Sequence, residues 1–323
     1  VSRQLRAQAR QHYSVSSDIL AVDVAGIRFQ NPVLLASGTA AYGREIYGVI
    51  DLEALGGIMT KAVSPLPRNG APPLRVVDTP GGMLNAIGLA NPGVASVRAN
   101  DLPWLAANIS RARVIVNVVG DTVEDYATVV SELATADGID AFELNVSCPN
   151  TKAGGLEFGA DPRALAEVVR GARAATTLPL FVKLSPALAD IAGAAKIAVD
   201  AGADAITLVN TLPGLVIDVE RRRPALGFGT GGLSGAALLP VGVRATWMVR
   251  RAVDVPIVGV GGISTGTDAV QYLLAGASLV ALGTSALRDP RAPERVVREL
   301  EAWCRAHDVR AVGELTGTLE WES

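Results

Sequence analysis

Residues 143–150 read ELNVSCPN, and Cys148 is one of only two cysteines in the chain. A lone cysteine is most often a small buried hydrophobe. Cys148, though, follows the strand-like run GIDAFELNV and is trailed at once by Pro149. Other polar residues stand at the ends of similar apolar runs. Thr60 and Lys61 follow one, Asn117 lies on a second, and Asn145 with Ser147 lies on the run before Cys148. Lys183 ends another, and Asn210 with Thr211 ends the next. Paired amide donors and acceptors suit the edge of a heterocycle. Lysines beside them suit an anion or a charge that develops during reaction. A thiol at the exit of such a strand is either packing filler or a chemical tool, and these lysines and asparagines favour the tool.

A second signal lies near the carboxyl end. The runs GVGGIS (259–264) and LGTSAL (282–287) place Gly261, Gly262, Gly283 and Thr284 where chain turns lead into helices. Glycine lets backbone N–H groups approach a phosphate, and a helix amino end adds partial positive charge. By contrast, Gly227, Gly229 and Gly232 in GFGTGG satisfy the spacing of a dinucleotide fingerprint without its context. That motif needs a strand before it and a helix opening within it. VERRRPALGFGTGGL supplies neither and is read as a mobile loop, so no nicotinamide site of that type is expected.

Eight strand-like runs must position these groups: 32–38, 57–63, 113–120, 141–146, 178–185, 204–210, 255–262 and 277–284. They are short and apolar throughout, as strands covered on both faces should be. Helical patterns at 121–137, 161–176, 187–201 and 264–275 alternate with them, Asp121 and Glu124 forming a candidate cap and capping-box pair. The expected fold is an α/β (β/α)8 TIM barrel, with a doubly wound sheet as the rival. In such a barrel the polar strand ends converge on one face. Long connections at 63–91 and 211–235 follow strands two and six, and the Cys148 loop follows strand four. All three leave the carboxyl ends, where barrel active sites form. The chain divides into an amino-terminal extension, 1–18, read as a frayed, disordered tail or short surface helix, and one barrel domain, 19–323.

Composition narrows the function classes. A net charge of -3 and no basic block interleaved with aromatics give no reason to expect nucleic acid. Cys148 and Cys304 form no ligand cluster with His12 or His307, which argues against zinc. Two thiols are too few for an iron–sulfur cluster of the usual four-cysteine kind. Disulfide scaffolding is likewise excluded, and a reducing cytoplasm is the expected location. No uninterrupted apolar stretch approaches the ~20 residues of a membrane span, and the amino end lacks a signal-peptide core.

Several long segments, in order over about residues 20–305, make the chain resemble the dihydroorotate dehydrogenases. They are NPVLLASGT, TKAVSPLPRNGAPPLRVVDTPGGMLNAIGLANPG, ELNVSCPNTKAGGLEFGADP, FVKLSP, LVNT, TGGLSG, VGVGGI and ALGTS. The resemblance implies a barrel that binds FMN and oxidises dihydroorotate to orotate in pyrimidine biosynthesis. Cysteine at position 148, where quinone-linked members carry serine, implies the soluble class 1. NAIGLANPG and CPNTKAGGLEFG look more like the NAD-linked B type than the fumarate-linked A type. Asn150 stands where the related dihydropyrimidine dehydrogenase barrel carries histidine.

Carried over by position, the resemblance implies FMN contacts from Ser37, Lys61, Asn117, Asn145, Lys183, Val209, Gly235, Gly261, Gly262, Gly283 and Thr284. Lys183 would face the N1/O2 side of the flavin. Substrate would meet Lys61, Asn85, Ala86, Ile87, Gly88, Leu89, Asn145, Asn210 and Thr211. Cys148 would take the C5 proton and FMN the C6 hydride. The B type implies a homodimer core with a partner subunit carrying FAD and [2Fe–2S], a heterotetramer that passes electrons to NAD. Departures are TAAYG (39–43), where the family often shows phenylalanine, and the amino-terminal extension. Alternatives kept open are a fumarate-linked homodimer, a related flavin-dependent dihydropyrimidine oxidoreductase, a flavin-free phosphate-binding barrel, and a barrel serving only as a scaffold.

Overall fold

The computed structural model of the chain describes residues 18–147 and 158–321. Two short antiparallel strands come first, β1 (Val22–Val24) and β2 (Ile27–Phe29), joined through Ala25 and Gly26 at φ 51° and 78°. Positive φ at both central residues gives a two-residue turn whose twist matches its strands. β3 (Val33–Leu35) and β4 (Gly57–Met59) then open a barrel, and the chain leaves it for a hairpin, β5 (Val76–Thr79) and β6 (Gly82–Asn85). It returns through β7 (Arg113–Val118), β8 (Ala141–Asn145), β9 (Leu180–Leu184) and β10 (Ala205–Leu208). A second excursion forms β11 (Leu212–Gly214), β12 (Ile217–Asp218), β13 (Arg223–Pro224) and β14 (Gly231–Ser234). β15 (Ile257–Val260) and β16 (Leu279–Leu282) complete the barrel, and β16 closes in parallel on β3. All eight barrel strands fall inside the eight expected runs. The (β/α)8 reading holds.

Apart from Arg113, every residue of the eight strands is buried, which accounts for their largely apolar character. Alternate residues still face opposite ways. Val114, Val116, Phe142, Leu144, Val182 and Leu184 pack outward against helical Val129, Val130, Leu165 and Val169. Leu34, Met59, Ile115, Ala141, Phe181, Val258 and Leu279 fill the interior, where Val24 and Phe29 of the first hairpin join them as a plug. Two residues further along, the inward series of β7, β8 and β9 turn polar: Ile115 leads to Asn117, Ala141 to Glu143 and Asn145, Phe181 to Lys183. The apolar end thus carries the stability and the carboxyl end the chemistry.

Around the barrel stand α1 (Leu102–Asn108), α2 (Val123–Leu133), α3 (Pro162–Ala175), α4 (Ile191–Asp200), α5 (Leu239–Arg250), α6 (Gly266–Ala275), α7 (Thr284–Arg288) and α8 (Ala292–Ala306). Asp161 caps α3, with Pro162 at its first position. The cap of α2 falls one residue later than expected. Thr122, not Asp121, accepts from the N–H of Asp125, and Asp125 rather than Glu124 completes the box. The Asp121 carboxylate is instead 3.0 Å from Arg68 in an ion pair.

The long connections are not plain loops. β5, β6, β14 and β11 pair into a four-stranded antiparallel sheet, with Gly232 opposite Asn85 and Leu212 opposite Leu233. Residues 227–232 therefore are not wholly a mobile loop, because Gly231 and Gly232 belong to β14. Low strand propensity misled the sequence reading. These glycines serve close approach, since a Cβ on Gly231 would sit 2.6 Å from the Asn85 carbonyl. No helix opens within the motif, so the dinucleotide reading stays rejected. Among the described residues, no helix is long and apolar enough to cross a membrane.

Asp289, between α7 and α8, carries a local pH dependence. Hydrogen bonds from the Arg291 side chain and backbone, then from Arg295, hold its carboxyl down at about 2. In the unfolded chain the group returns to an ordinary value of about 3.9. Its contribution to stability is therefore full above the ordinary value and lost as pH falls toward 2. Asp289→Asn is expected to flatten the stability profile in that acid window and to lower stability near neutrality, where the contribution of the carboxylate is full. Chemical denaturation at a series of pH values measures this, and an unaltered acid slope would contradict it.

Candidate active site

A cavity of about 1120 Å³ lies between the carboxyl ends of the barrel strands and the four-stranded sheet. Every expected cofactor or substrate residue from Ser37 to Thr284 lines it, except that Cys148 lies outside the described residues. The barrel closes the floor, the sheet forms the roof, and the turns after β15 and β16 shape one end.

The floor is polar and ordered. Lys183 is buried, and its Nζ donates to Ser37 Oγ at 3.0 Å. Asn117 Nδ2 donates to Glu143 Oε1 at 2.6 Å, and Lys183 Nζ lies 3.9 Å from the same oxygen. Asn210 Nδ2 donates to Asn145 Oδ1 at 3.2 Å, while Asn210 Oδ1 accepts from the N–H of Thr211 at 2.8 Å. Ser147 Oγ donates to the Lys183 carbonyl at 2.7 Å, and Tyr126 OH donates to the Asn145 carbonyl at 2.9 Å. These contacts lock strands β8, β9 and their neighbours at their carboxyl ends.

Lys61 lines the same cavity, and its ammonium has no ion-pair partner among the described residues. Its backbone N–H donates to the Ala41 carbonyl at 2.7 Å, and Tyr42 OH donates to the Ala62 carbonyl at 3.2 Å. The unusual TAAYG segment thus braces the lysine from behind. Burial, with Asp101 and Glu45 nearby, pushes the Tyr42 hydroxyl well above its ordinary value, so it stays a neutral donor. Thr60 does not join the ring. It is buried, donates to the Lys61 carbonyl and accepts from the N–H of Asn117.

On the sheet side, Asn85 Nδ2 donates to the Gly232 carbonyl at 3.3 Å, tying the Asn85–Leu89 segment to β14. Ala86 and Ala71 extend this bracing, with Ala71 N–H donating to the Ile87 carbonyl at 3.0 Å. Val209 N–H donates to the Val260 carbonyl at 2.9 Å on the barrel side.

At the glycine-rich end, Gly235, Gly261 and Gly262 adopt φ of 106°, 125° and 76°. Gly283 precedes α7, and a Cβ there would meet nothing closer than Ala36 and Thr39 at 3.8 Å, both at the cavity wall. Thr284 Oγ1 donates to Ser234 Oγ at 2.8 Å, joining α7 to the sheet. Arg288, which the sequence reading missed, reaches the cavity from α7 and lies 3.9 Å from Asp78. It stands one helical turn after Thr284, and that spacing could have flagged it.

These residues fit a planar heterocycle carrying a phosphate. The buried Oδ1 of Asn117 has no protein partner and awaits a donor. Two ammonium groups suit anionic atoms, and the open cradle at Gly283 suits phosphate oxygens. Glu143 was also missed, although it stands two residues before Asn145 on the same strand face.

Comparison with known proteins gives the family. The sequence profile of the dihydroorotate dehydrogenase family matches residues 19–303. The chain is 48% identical over 301 residues to the dihydroorotate dehydrogenase B (NAD(+)) catalytic subunit of Citrifermentans bemidjiense, covering 93% of this chain and 98% of that protein. It is 47% identical over 302 residues to a provisionally named dihydroorotate dehydrogenase A (fumarate) of Solibacter usitatus, covering 94% and 99%. The DHODH of Eimeria tenella, solved with ferulenol, superposes with a TM-score of 0.79 over 98% of this chain and 93% of that one. At 23% identity that likeness supports the fold alone. A matched profile over most of the sequence, close relatives along nearly their full length and a barrel of the same form lead to one conclusion: the chain belongs to the dihydroorotate dehydrogenase family.

Proposed function

We infer that this chain is the catalytic subunit of an NAD-linked dihydroorotate dehydrogenase, oxidising dihydroorotate to orotate in cytoplasmic pyrimidine biosynthesis. The observation that carries this reading is the convergence of Lys61, Lys183, Asn117, Asn145 and Asn210 on one cavity with a glycine-rich anion end. FMN, when bound, supplies the acceptor for the C6 hydride. Gly261, Gly262, Gly283 and Thr284 would hold its phosphate, with Ser37, Asn117, Asn145, Lys183, Val209 and Gly235 around the rest. Lys61 would meet the substrate carboxylate or the flavin edge. Asn145, Asn210, Thr211 and Asn85–Leu89 would hold the pyrimidine ring, and this positioning lowers the entropic barrier. Cys148 would remove the C5 proton. The four-stranded sheet roofs this space and limits water.

The relatives' B-type names, which give NAD(+) and a catalytic subunit, support NAD as the acceptor; in this reading the electrons would reach it through a partner subunit carrying FAD and [2Fe–2S]. A homodimer of this chain at the centre of a heterotetramer is part of the same reading. The Solibacter relative favours a second one, a fumarate-reducing homodimer. Anaerobic titration of the purified chain with dihydroorotate tests the core of the proposal. A yellow protein whose flavin bleaches with stoichiometric substrate is expected. A colourless protein that takes up no FMN, or a flavin untouched by substrate, would overturn it. Assaying NAD and fumarate with and without the partner then separates the two acceptors.

A further inference from the structure

Glu143 is a fully buried carboxylate on the central one of three neighbouring strands. It is Cα partner to Asn117 on β7 and to Phe181 on β9. Its Oε1 accepts from Asn117 Nδ2 at 2.6 Å and lies 3.9 Å from Lys183 Nζ, while Oε2 has no protein partner. Asn117 and Lys183 both line the cavity; Glu143 itself does not. Burying a carboxylate is costly unless hydrogen bonds and a counter-charge offset the loss of water. A buried ion pair is also poor value as a stabiliser, since apolar residues of similar size often do as well. The charge beneath this floor therefore points to the ligand above it.

We propose that Glu143 is a positioning residue that fixes the Lys183 ammonium and the Asn117 carboxamide at the cavity floor and tempers the positive charge presented to the flavin. The inference rests on the FMN reading. Ser37 Oγ holds the Lys183 ammonium from the cavity wall, at 3.0 Å. Glu143 holds it from below. Reduction adds negative charge to the flavin, so an unbalanced ammonium would favour the reduced form and a balanced one favours it less. In a low-dielectric interior this difference is large enough to read as a potential.

Glu143→Gln separates the idea from a packing role. Glutamine has the same shape and can still accept from Asn117, so a merely structural residue would leave the flavin potential unmoved. In the FMN-loaded protein we expect the variant to favour reduced flavin about tenfold more, about 30 mV upward for a two-electron couple. Glu143→Asp, which keeps the charge, should return the potential toward its original value. An unchanged or lowered potential in Glu143→Gln would overturn the proposal.

A thermal cycle covers the case in which that variant folds poorly. Lys183→Met should lower Tm by leaving a lone buried carboxylate, and Glu143→Gln in that background should raise it again. A double variant less stable than Lys183→Met alone also overturns the proposal. The cycle needs no flavin. If the unsubstituted protein takes up no FMN, the cofactor reading fails while the cycle still reports on the pair.

Discussion

Cys148→Ser is expected to keep its bound flavin and to reduce it with dihydroorotate about 10²- to 10⁴-fold more slowly at neutral pH, the usual worth of a positioned base. A free thiol is a few per cent ionised near pH 7, and neighbouring lysines raise that fraction. A serine hydroxyl offers almost no alkoxide. Among the described residues, neither Ser147 nor Cys304 is free to take over the task. Ser147 is buried, and its hydroxyl is committed to the Lys183 carbonyl. Cys304 lies in a different apolar cluster with Val296 and Leu300, fully buried, its thiol pushed up by burial and then by Glu301. Stopped-flow reduction across pH makes the measurement. For the unsubstituted chain the rate should climb with pH and level off once the thiol is ionised. Equal rates in Cys148→Ser would remove this residue as the base.

The second large effect is a contrast between two glycines at the anion end. A Cβ on Gly262 would lie 2.5 Å from the backbone nitrogen of Leu239 and 2.7 Å from its Cβ, and the residue sits at φ 76°. Gly262→Ala should therefore cost about 1–2 kcal/mol in backbone strain. Overpacking against the start of α5 should add about 1–3 kcal/mol. Gly283 has an ordinary negative φ of -117° and no atom nearer than 3.8 Å. Gly283→Ala should fold normally and lose affinity for FMN, because the added methyl group enters the space where phosphate would approach. Urea denaturation of the apo-protein and FMN titration separate the two outcomes. Full FMN affinity in Gly283→Ala would remove that residue from the phosphate site.

Much of this molecule was legible before any coordinates. Eight apolar runs and the helical patterns between them fix the barrel, because strands buried on both faces need unbroken apolar sequence and helices need a 3.6-residue stripe. Polar residues at the ends of those runs, Lys61, Asn117, Asn145, Lys183 and Asn210, mark the active end for the same reason. They interrupt what packing alone would require. Other features follow from contacts between distant segments. The sheet joining β5 and β6 to β11 and β14 pairs glycine-rich stretches about 147 positions apart, as Asn85 and Gly232 show. Local propensity has no term for such pairing. The Asp121 carboxylate likewise pairs with Arg68, 53 positions earlier, 121 minus 68, while Thr122 caps α2. Glu143 is the clearest division of labour. Its place two residues before Asn145 assigns it to the inward face, but only the closed barrel puts Asn117 and Lys183 on either side of it. A carboxylate in an apolar run gains meaning once the neighbouring strands supply its partners.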